Sequence, residues 1–122
     1  MKLHLADAQG RFGITGHGPG HVLVNGERHE QALIVTPDQV LRWPVTCMDT
    51  LRPDDLALLV AQAADIVLIG TGERQLFPRP AVLRPLIEAG RGFEVMTTAA
   101  ACRTYNILLN EGRRVAAALL IP

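Results

Sequence analysis

Residues 66–69 are an unbroken apolar run, Ile-Val-Leu-Ile, that follows Asp65 and stops at Gly70. Three of the four residues are β-branched, which favours a strand, and the run lacks the polar alternation of a strand with one solvated face. Strands buried on both faces occur where helices cover both sides of a largely parallel sheet. This run therefore predicts that the chain folds around such a sheet.

Helical patterns lie on both sides of this strand. Before it, Pro53 and two acids suit the first turn of a helix. The apolar residues that follow recur at helical spacing, at Leu56, Leu59, Val60 and Ala63. After the strand comes a loop, residues 70–80. Residues 81–89 then indicate a helix that is either kinked at Pro85 or replaced by a shorter segment beginning there.

The alternation continues to residue 121. We predict a strand at residues 93–96, a helix at 98–110 and a strand at 114–121. The helix has an apolar stripe formed by Ala101, Cys102, Tyr105, Leu108 and Leu109. Either Thr97 or Thr98 can cap its start. The order β-α-β-α-β implies parallel strands joined by right-handed crossovers, so we predict an α/β fold in a single three-layer domain, residues 1–122.

Residues 1–44 are β-rich, in contrast to the alternating part at 45–122. The Asn25-Gly26 pair favours the positive φ angles of a two-residue turn, which predicts an amino-terminal β-hairpin. Further strand candidates are residues 3–5, 12–14, 32–36 and 40–43. Residues 16–20, with three glycines and a proline, are predicted as a loop. The β-rich part is expected to extend the edge of the main sheet or to form a small added sheet.

The composition excludes several chemistries. The chain has no serine, and its one lysine is Lys2, which excludes a Ser-His-Asp hydrolase, an internal Schiff-base lysine and a phosphate loop. Its 12 basic and 12 acidic residues are scattered, which argues against nucleic-acid binding. No apolar run approaches the roughly 20 residues that cross a bilayer. The first residues lack a targeting pattern, so a cytoplasmic location is expected.

Two loops are expected to meet at the carboxyl ends of the parallel strands, where ligands usually bind in such sheets. One loop begins with Gly70, Thr71 and Gly72, and the other consists of Met96, Thr97 and Thr98. Helix N–H groups, threonine hydroxyls and the Arg103 guanidinium could hold an anion there. Alternatively, the glycines permit a turn, the threonines cap the helix, and Arg103 pairs with Glu94 or Glu111.

The other motifs argue against a cofactor or a metal. A dinucleotide fingerprint needs a third glycine where Gln75 stands. The histidines, His4, His17, His21 and His29, have no cysteine near them in sequence, which favours surface positions over zinc ligands. Cys47 and Cys102 have no C-x-x-C spacing and are expected to be reduced, with Cys102 packed in the core.

Residues 92–115, GFEVMTTAAACRTYNILLNEGRRV, resemble a known family. The specific elements are Met-Thr-Thr at 96–98, Arg-Thr-Tyr-Asn at 103–106 and Glu-Gly-Arg at 111–113. The family is a small domain that includes mitochondrial respiratory complex I assembly factor three, an adipogenesis-associated cytosolic protein and many bacterial and archaeal proteins. The resemblance covers nearly the whole chain, although this sequence lacks the transit peptide of the mitochondrial branch.

The resemblance implies a three-layer fold with a mixed central sheet. It also implies a non-catalytic binding protein that helps to assemble or stabilise a larger complex, for which a respiratory complex is the candidate. A protein partner is therefore expected. The family's signature positions are Gly70, Thr71, Gly72, Met96, Thr97, Thr98, Arg103, Tyr105 and Asn106.

Two other interpretations remain open. In one, the protein is an anion-binding protein or an enzyme, with Arg103 holding the ligand at the strand ends and Thr97, Thr98 or Tyr105 positioning it. In the other, the signature is architectural: Tyr105 and Asn106 tie the last helix to the Gly70 loop, and Arg103 is an at least partly buried ion-pair partner. The exposed edge of the hairpin could pair two copies into a homodimer.

Overall fold

A computed structural model describes residues 10–122, so the strand candidate at 3–5 and His4 lie outside the described residues. The strands are β1 (Ile14–Gly18), β2 (His21–Val24), β3 (Glu27–His29), β4 (Leu33–Val35), β5 (Val40–Arg42), β6 (Ile66–Gly70), β7 (Gly92–Met96) and β8 (Val115–Leu119). The α-helices are α1 (Pro53–Val60), α2 (Pro80–Glu88) and α3 (Thr98–Asn110), and Met48–Thr50 form a 3-10 helix.

The main sheet has five strands in the order β5-β4-β8-β6-β7. Strand β6 runs parallel to both β7 and β8, as the β-α-β-α-β pattern predicts. Strand β4 runs antiparallel to β8 and to β5, so the sheet is mixed. The predicted α/β fold with a mixed central sheet is therefore confirmed, and strands from both the β-rich and the alternating part build it.

Each face of the main sheet has its own apolar core. Helices α1 and α2 cover one face, where the buried residues include Ile34, Trp43, Leu56, Leu59, Val67, Ile69, Val82 and Leu86. Helix α3 and the small sheet β1-β2-β3 cover the other, where they include Val22, Val24, Leu33, Leu68, Cys102, Tyr105 and Leu109. The result is the predicted three layers, with the β-rich part supplying both an edge extension and an added sheet.

The predicted hairpin is confirmed at the turn between β2 and β3. Asn25 and Gly26 have φ angles of 48° and 82°, the left-handed values that a two-residue turn of this kind requires. Asn25 is buried, and its side-chain Oδ1 accepts the N–H of Gly13 at 2.8 Å. The turn is therefore fixed both by its own residues and by the chain entering β1.

The prediction of a loop over residues 16–20 is wrong, because β1 continues to Gly18 and only Pro19 and Gly20 turn. A Cβ added at Gly16 would lie 3.0 Å from the Leu23 side chain on β2, and one at Gly18 would lie 2.9 Å from the His21 ring. These glycines make room for cross-strand side chains within a strand.

Helix α1 ends earlier than its apolar spacing predicts. Ala61 is its C-cap, and Ala63 lies beyond it as an exposed residue. The guanidinium of Arg91 donates to the carbonyls of Val60, Gln62 and Ala64 at 2.7 to 3.0 Å. Arg91 thus satisfies carbonyl groups that a longer helix would have used.

Helix α2 is one helix that includes Pro85, which decides between the two alternatives for this segment. It begins at Pro80, one residue before the predicted start, because a proline at the first helical position loses no helical hydrogen bond. Gly90, with a φ angle of 68°, follows its end as a left-handed residue.

Candidate functional site

The two loops that were predicted to lie at the strand ends do meet at the carboxyl ends of β6 and β7. We call residues 70–72 and 96–98 the strand-end junction. The Thr71 N–H donates to the Met96 carbonyl, and the Thr98 N–H donates to the Gly72 carbonyl, both at 2.9 Å. The two loops are therefore joined by their own backbones.

The Thr98 side chain is the centre of the junction. It is fully buried, and its hydroxyl donates to the Leu120 carbonyl at 2.6 Å while accepting the Gly72 N–H at 2.9 Å. One hydroxyl thus connects the loop after β6, the start of α3 and the segment after β8. Both of these contacts are with protein groups.

The other two junction threonines also bond to protein groups. The Thr71 hydroxyl lies 3.2 Å from the Met96 carbonyl and accepts the Leu76 N–H at 3.2 Å. Thr97 is the N-cap of α3, and its hydroxyl accepts the Ala100 N–H at 3.2 Å. The hydroxyls proposed for a ligand are thus bonded within the fold, which favours the architectural interpretation of these residues.

Gly70 is required by the close approach of its neighbours. A Cβ at this position would lie 3.0 Å from the Thr98 Cα and 3.0 Å from the Leu119 Cδ2. The first of these atoms is backbone and cannot move aside without shifting α3. Gly70 therefore allows β6, β8 and α3 to pack against one another at the strand ends.

Asn106 ties α3 to β1 and Tyr105 ties it to Phe12, just before β1, which corrects the expectation that they reach the Gly70 loop. The Tyr105 hydroxyl donates to the Phe12 carbonyl at 2.6 Å. The Asn106 side chain accepts the Ile14 N–H at 3.0 Å and donates to the Ile14 carbonyl at 2.7 Å. Asn106 thereby takes the place of a paired strand along this part of β1.

Arg103 is exposed on α3, which contradicts the interpretation that it is a buried ion-pair partner. Among residues 10–122, it makes no ion pair with Glu94 or Glu111. The structure therefore brings six of the nine predicted site residues into the strand-end junction, places two at the contact with β1, and leaves Arg103 in solvent.

The two thiols lie in opposite environments. Cys102 is buried in the core, as predicted, and that burial raises the pKa of its thiol to about 12. Cys47 is exposed, and a hydrogen bond with the Thr50 side chain lowers the pKa of its thiol. Because the thiolate is the nucleophile, only Cys47 can react readily in the folded protein.

We expect one fast-reacting thiol per chain when an aromatic disulfide reagent is added at pH 8. With a pKa of about 12, only about one Cys102 in ten thousand is ionised at that pH. The second thiol should react after denaturation. A Cys47→Ala variant should show no fast phase, and a fast phase in that variant would contradict the packing of Cys102.

The loop between the junction and α2 exposes two apolar side chains that no sequence motif indicated. Leu76 and Phe77 are 45% and 74% exposed there. A Leu-Phe pair that lies between Arg74 and Arg79, with Pro78 and Pro80 after it, was the available signal, since such a loop cannot easily fold its apolar residues inward. Beside Phe77 lies a groove of about 320 Å³.

The described residues contain no cluster of three or more His, Cys, Asp or Glu side chains able to hold a metal ion. Over residues 10–122, each helix is too short or too polar to cross a membrane.

Comparison with known families gives one match that covers most of the chain. Residues 14–120 match the family described as "Protein of unknown function (DUF498/DUF598)". The chain belongs to the DUF498 family. The resemblance noted from residues 92–115 is thereby confirmed, because relatives of this chain include the assembly factor named in that resemblance.

Relatives of this DUF498 protein carry different names. The "13 kDa major membrane protein" of Francisella tularensis is 32% identical over 83% of this chain and 84% of its own length. The "NADH dehydrogenase (ubiquinone) 1 alpha subcomplex assembly factor 3" of Bos taurus is 34% identical over 89% of this chain. The match spans only 60% of the bovine protein.

A solved structure shows the same fold. The crystal structure of a protein from Bordetella parapertussis is 39% identical and superimposes with a TM-score of 0.87. The match covers 92% of this DUF498 chain and 97% of the other.

Proposed function

We propose that this protein is a cytoplasmic, non-catalytic binding protein that assists the assembly or stability of a larger complex, with the respiratory NADH dehydrogenase as that complex. The proposal takes its direction from the bovine relative, which is named as an assembly factor and is 34% identical over 111 residues. In this proposal, the protein acts through contacts with a protein partner rather than through turnover of a substrate.

The observation that supports the non-catalytic part is the hydrogen bonding of the junction threonines within the fold. The hydroxyls of Thr71, Thr97 and Thr98 all bond to backbone groups of the fold. The buried thiol of Cys102 has a raised pKa, which removes it as a nucleophile. Free, unpaired Cys47 and Cys102 agree with a reducing compartment such as the cytoplasm.

Deletion of the gene provides the test of the assembly role. We expect the amount of fully assembled NADH dehydrogenase on a native gel to fall, while its subunits are still synthesised. Expression of the parent chain, and of the Cys47→Ala variant as a control for an exposed residue outside the junction, should restore it. A normal amount of assembled complex in the deletion strain would contradict the proposal.

A thermal-shift screen tests the alternative of a small-molecule anion site. A ligand at about 100 times its dissociation constant adds roughly 2.7 kcal/mol to the free energy of unfolding. We expect no anionic metabolite in a panel of phosphates and carboxylates to produce such a change. A reproducible shift that is lost in Arg103→Ala would instead support an anion site that includes Arg103.

A further inference from the structure

The loop from Glu73 to Arg79 presents an apolar pair to solvent in a fixed position. The Leu76 N–H is held by the Thr71 hydroxyl at 3.2 Å, and the Gln75 side chain donates to the Val95 carbonyl at 3.0 Å. Phe77, the next residue, is 74% exposed. A large aromatic side chain exposed on an anchored loop is typical of an interaction surface.

A groove lies next to this projecting side chain. It separates the 3-10 helix from the loop, has a volume of about 320 Å³, and is lined by apolar residues that include Met48, Leu76 and Val82. We call Phe77 and this groove the docking patch. The patch combines a projecting aromatic group with a depression that has apolar side chains and two charged ones in its lining, so two such patches can be complementary to each other.

The docking patch also carries one charge of each sign. Asp49 and Arg79 both line the groove and are exposed, and neither has an ion-pair partner among residues 10–122. Around a two-fold axis through the patch, Asp49 of each copy would face Arg79 of the other copy, which would form two ion pairs. The chain has a net charge of zero, so two copies approach without long-range repulsion.

We propose that the docking patch is the interface of a symmetric homodimer, in which Phe77 of each copy enters the groove of the other. This goes beyond the proposed function and does not depend on it. The opposite charges of Asp49 and Arg79 cancel within the patch, so the patch lacks the cluster of basic residues that an anionic lipid surface attracts. Two of the sheet edges are less open to pairing, because Asn106 bonds to β1 and Gln75 to β7.

Sedimentation equilibrium of the full chain tests the interface. We expect a monomer–dimer equilibrium, and we expect Phe77→Ala to raise the dimer dissociation constant at least about 30-fold, as loss of a central aromatic contact does. Phe77 is mostly exposed, so the variant should fold normally, which circular dichroism checks. Ile107→Ala is the matched control, because Ile107 is 58% exposed on α3, outside the patch.

A charge exchange tests the symmetry. Asp49→Arg and Arg79→Asp each place like charges across the two-fold axis and should weaken the dimer about tenfold or more. The double variant restores both ion pairs and should dimerise like the parent. A parent that is monomeric up to about 1 mM, equal effects of Phe77→Ala and Ile107→Ala, or a double variant weaker than both single variants would overturn the proposal.

Discussion

We expect Thr98→Val to lower the free energy of unfolding by about 3 kcal/mol. The substitution leaves two buried backbone groups without a hydrogen-bond partner, and each such group costs roughly 1 to 3 kcal/mol. Valine keeps the shape of threonine but removes the hydroxyl that bonds to Gly72 and Leu120. Because Thr98 is fully buried, water cannot replace those bonds. Denaturant unfolding followed by circular dichroism measures the change.

Thr104→Val is the control for Thr98→Val. Thr104 lies on the same helix, is half-buried, and has no side-chain hydrogen bond within the described residues. Its replacement should change the free energy of unfolding by less than about 0.5 kcal/mol. Equal effects of the two substitutions would show that the junction does not depend on the Thr98 hydroxyl.

Gly70→Ala should lower the free energy of unfolding by about 2 to 3 kcal/mol, because the added methyl overpacks a rigid site. Its Cβ would lie 2.9 Å from the Thr98 Oγ1 and 3.0 Å from the Thr98 Cα. The strand and the helix would have to separate, and this also strains the hydrogen bonds of Thr98. Thermal and denaturant unfolding should both show the loss.

Gly92→Ala is the matched control for Gly70→Ala. Gly92 is exposed at the start of β7, and the nearest atom to its added Cβ is the Asp65 carbonyl oxygen at 3.6 Å, an ordinary contact. Alanine there should leave stability unchanged or raise it by about 0.4 to 1 kcal/mol, since it restricts the unfolded chain. A loss like that of Gly70→Ala would assign the effect to glycine replacement in general.

The sequence predicts those parts of the fold that local patterns determine. The run at residues 66–69 lies in a buried interior strand, as it indicates, and residues 98–110 form α3 as predicted. The Asn25-Gly26 turn forms where its backbone preference places it. In each case the residues that form the sequence pattern also stabilise the predicted element, so its formation depends less on contacts with distant segments.

Contacts between distant segments account for most of the errors. Asn106 bonds to Ile14, 92 residues away, and no spacing on α3 distinguishes that partner from the Gly70 loop. The early end of α1 depends on the side chain of Arg91, which comes after the end of α2 and is about 30 residues away in sequence. Glycines such as Gly16 favour a loop prediction, although here they lie in a strand and leave room for side chains of the neighbouring strand.

For the candidate site too, the sequence predicts one aspect and not another. Its position at the strand ends could be predicted, because Gly70 ends β6 and Thr97 follows β7, and parallel strands have their carboxyl ends at one edge. The bonding of its hydroxyls could not, since Thr98 is saturated by Leu120, a residue beyond a different strand. The composition around Phe77 hints at its exposure, but the hydrogen bonds of Thr71 and Gln75 that anchor the loop could not be predicted from the sequence.

The central place of β8 also determines when this protein can fold during synthesis. Strand β8 lies between β4 and β6, so the two halves of the main sheet meet only through residues 115–119. Until the ribosome has released those residues, no strand lies between β4 and β6, and the backbone groups along their facing edges stay unpaired. The nascent chain must therefore be protected from aggregation until then, and it completes its sheet only after nearly all of the described residues have been translated.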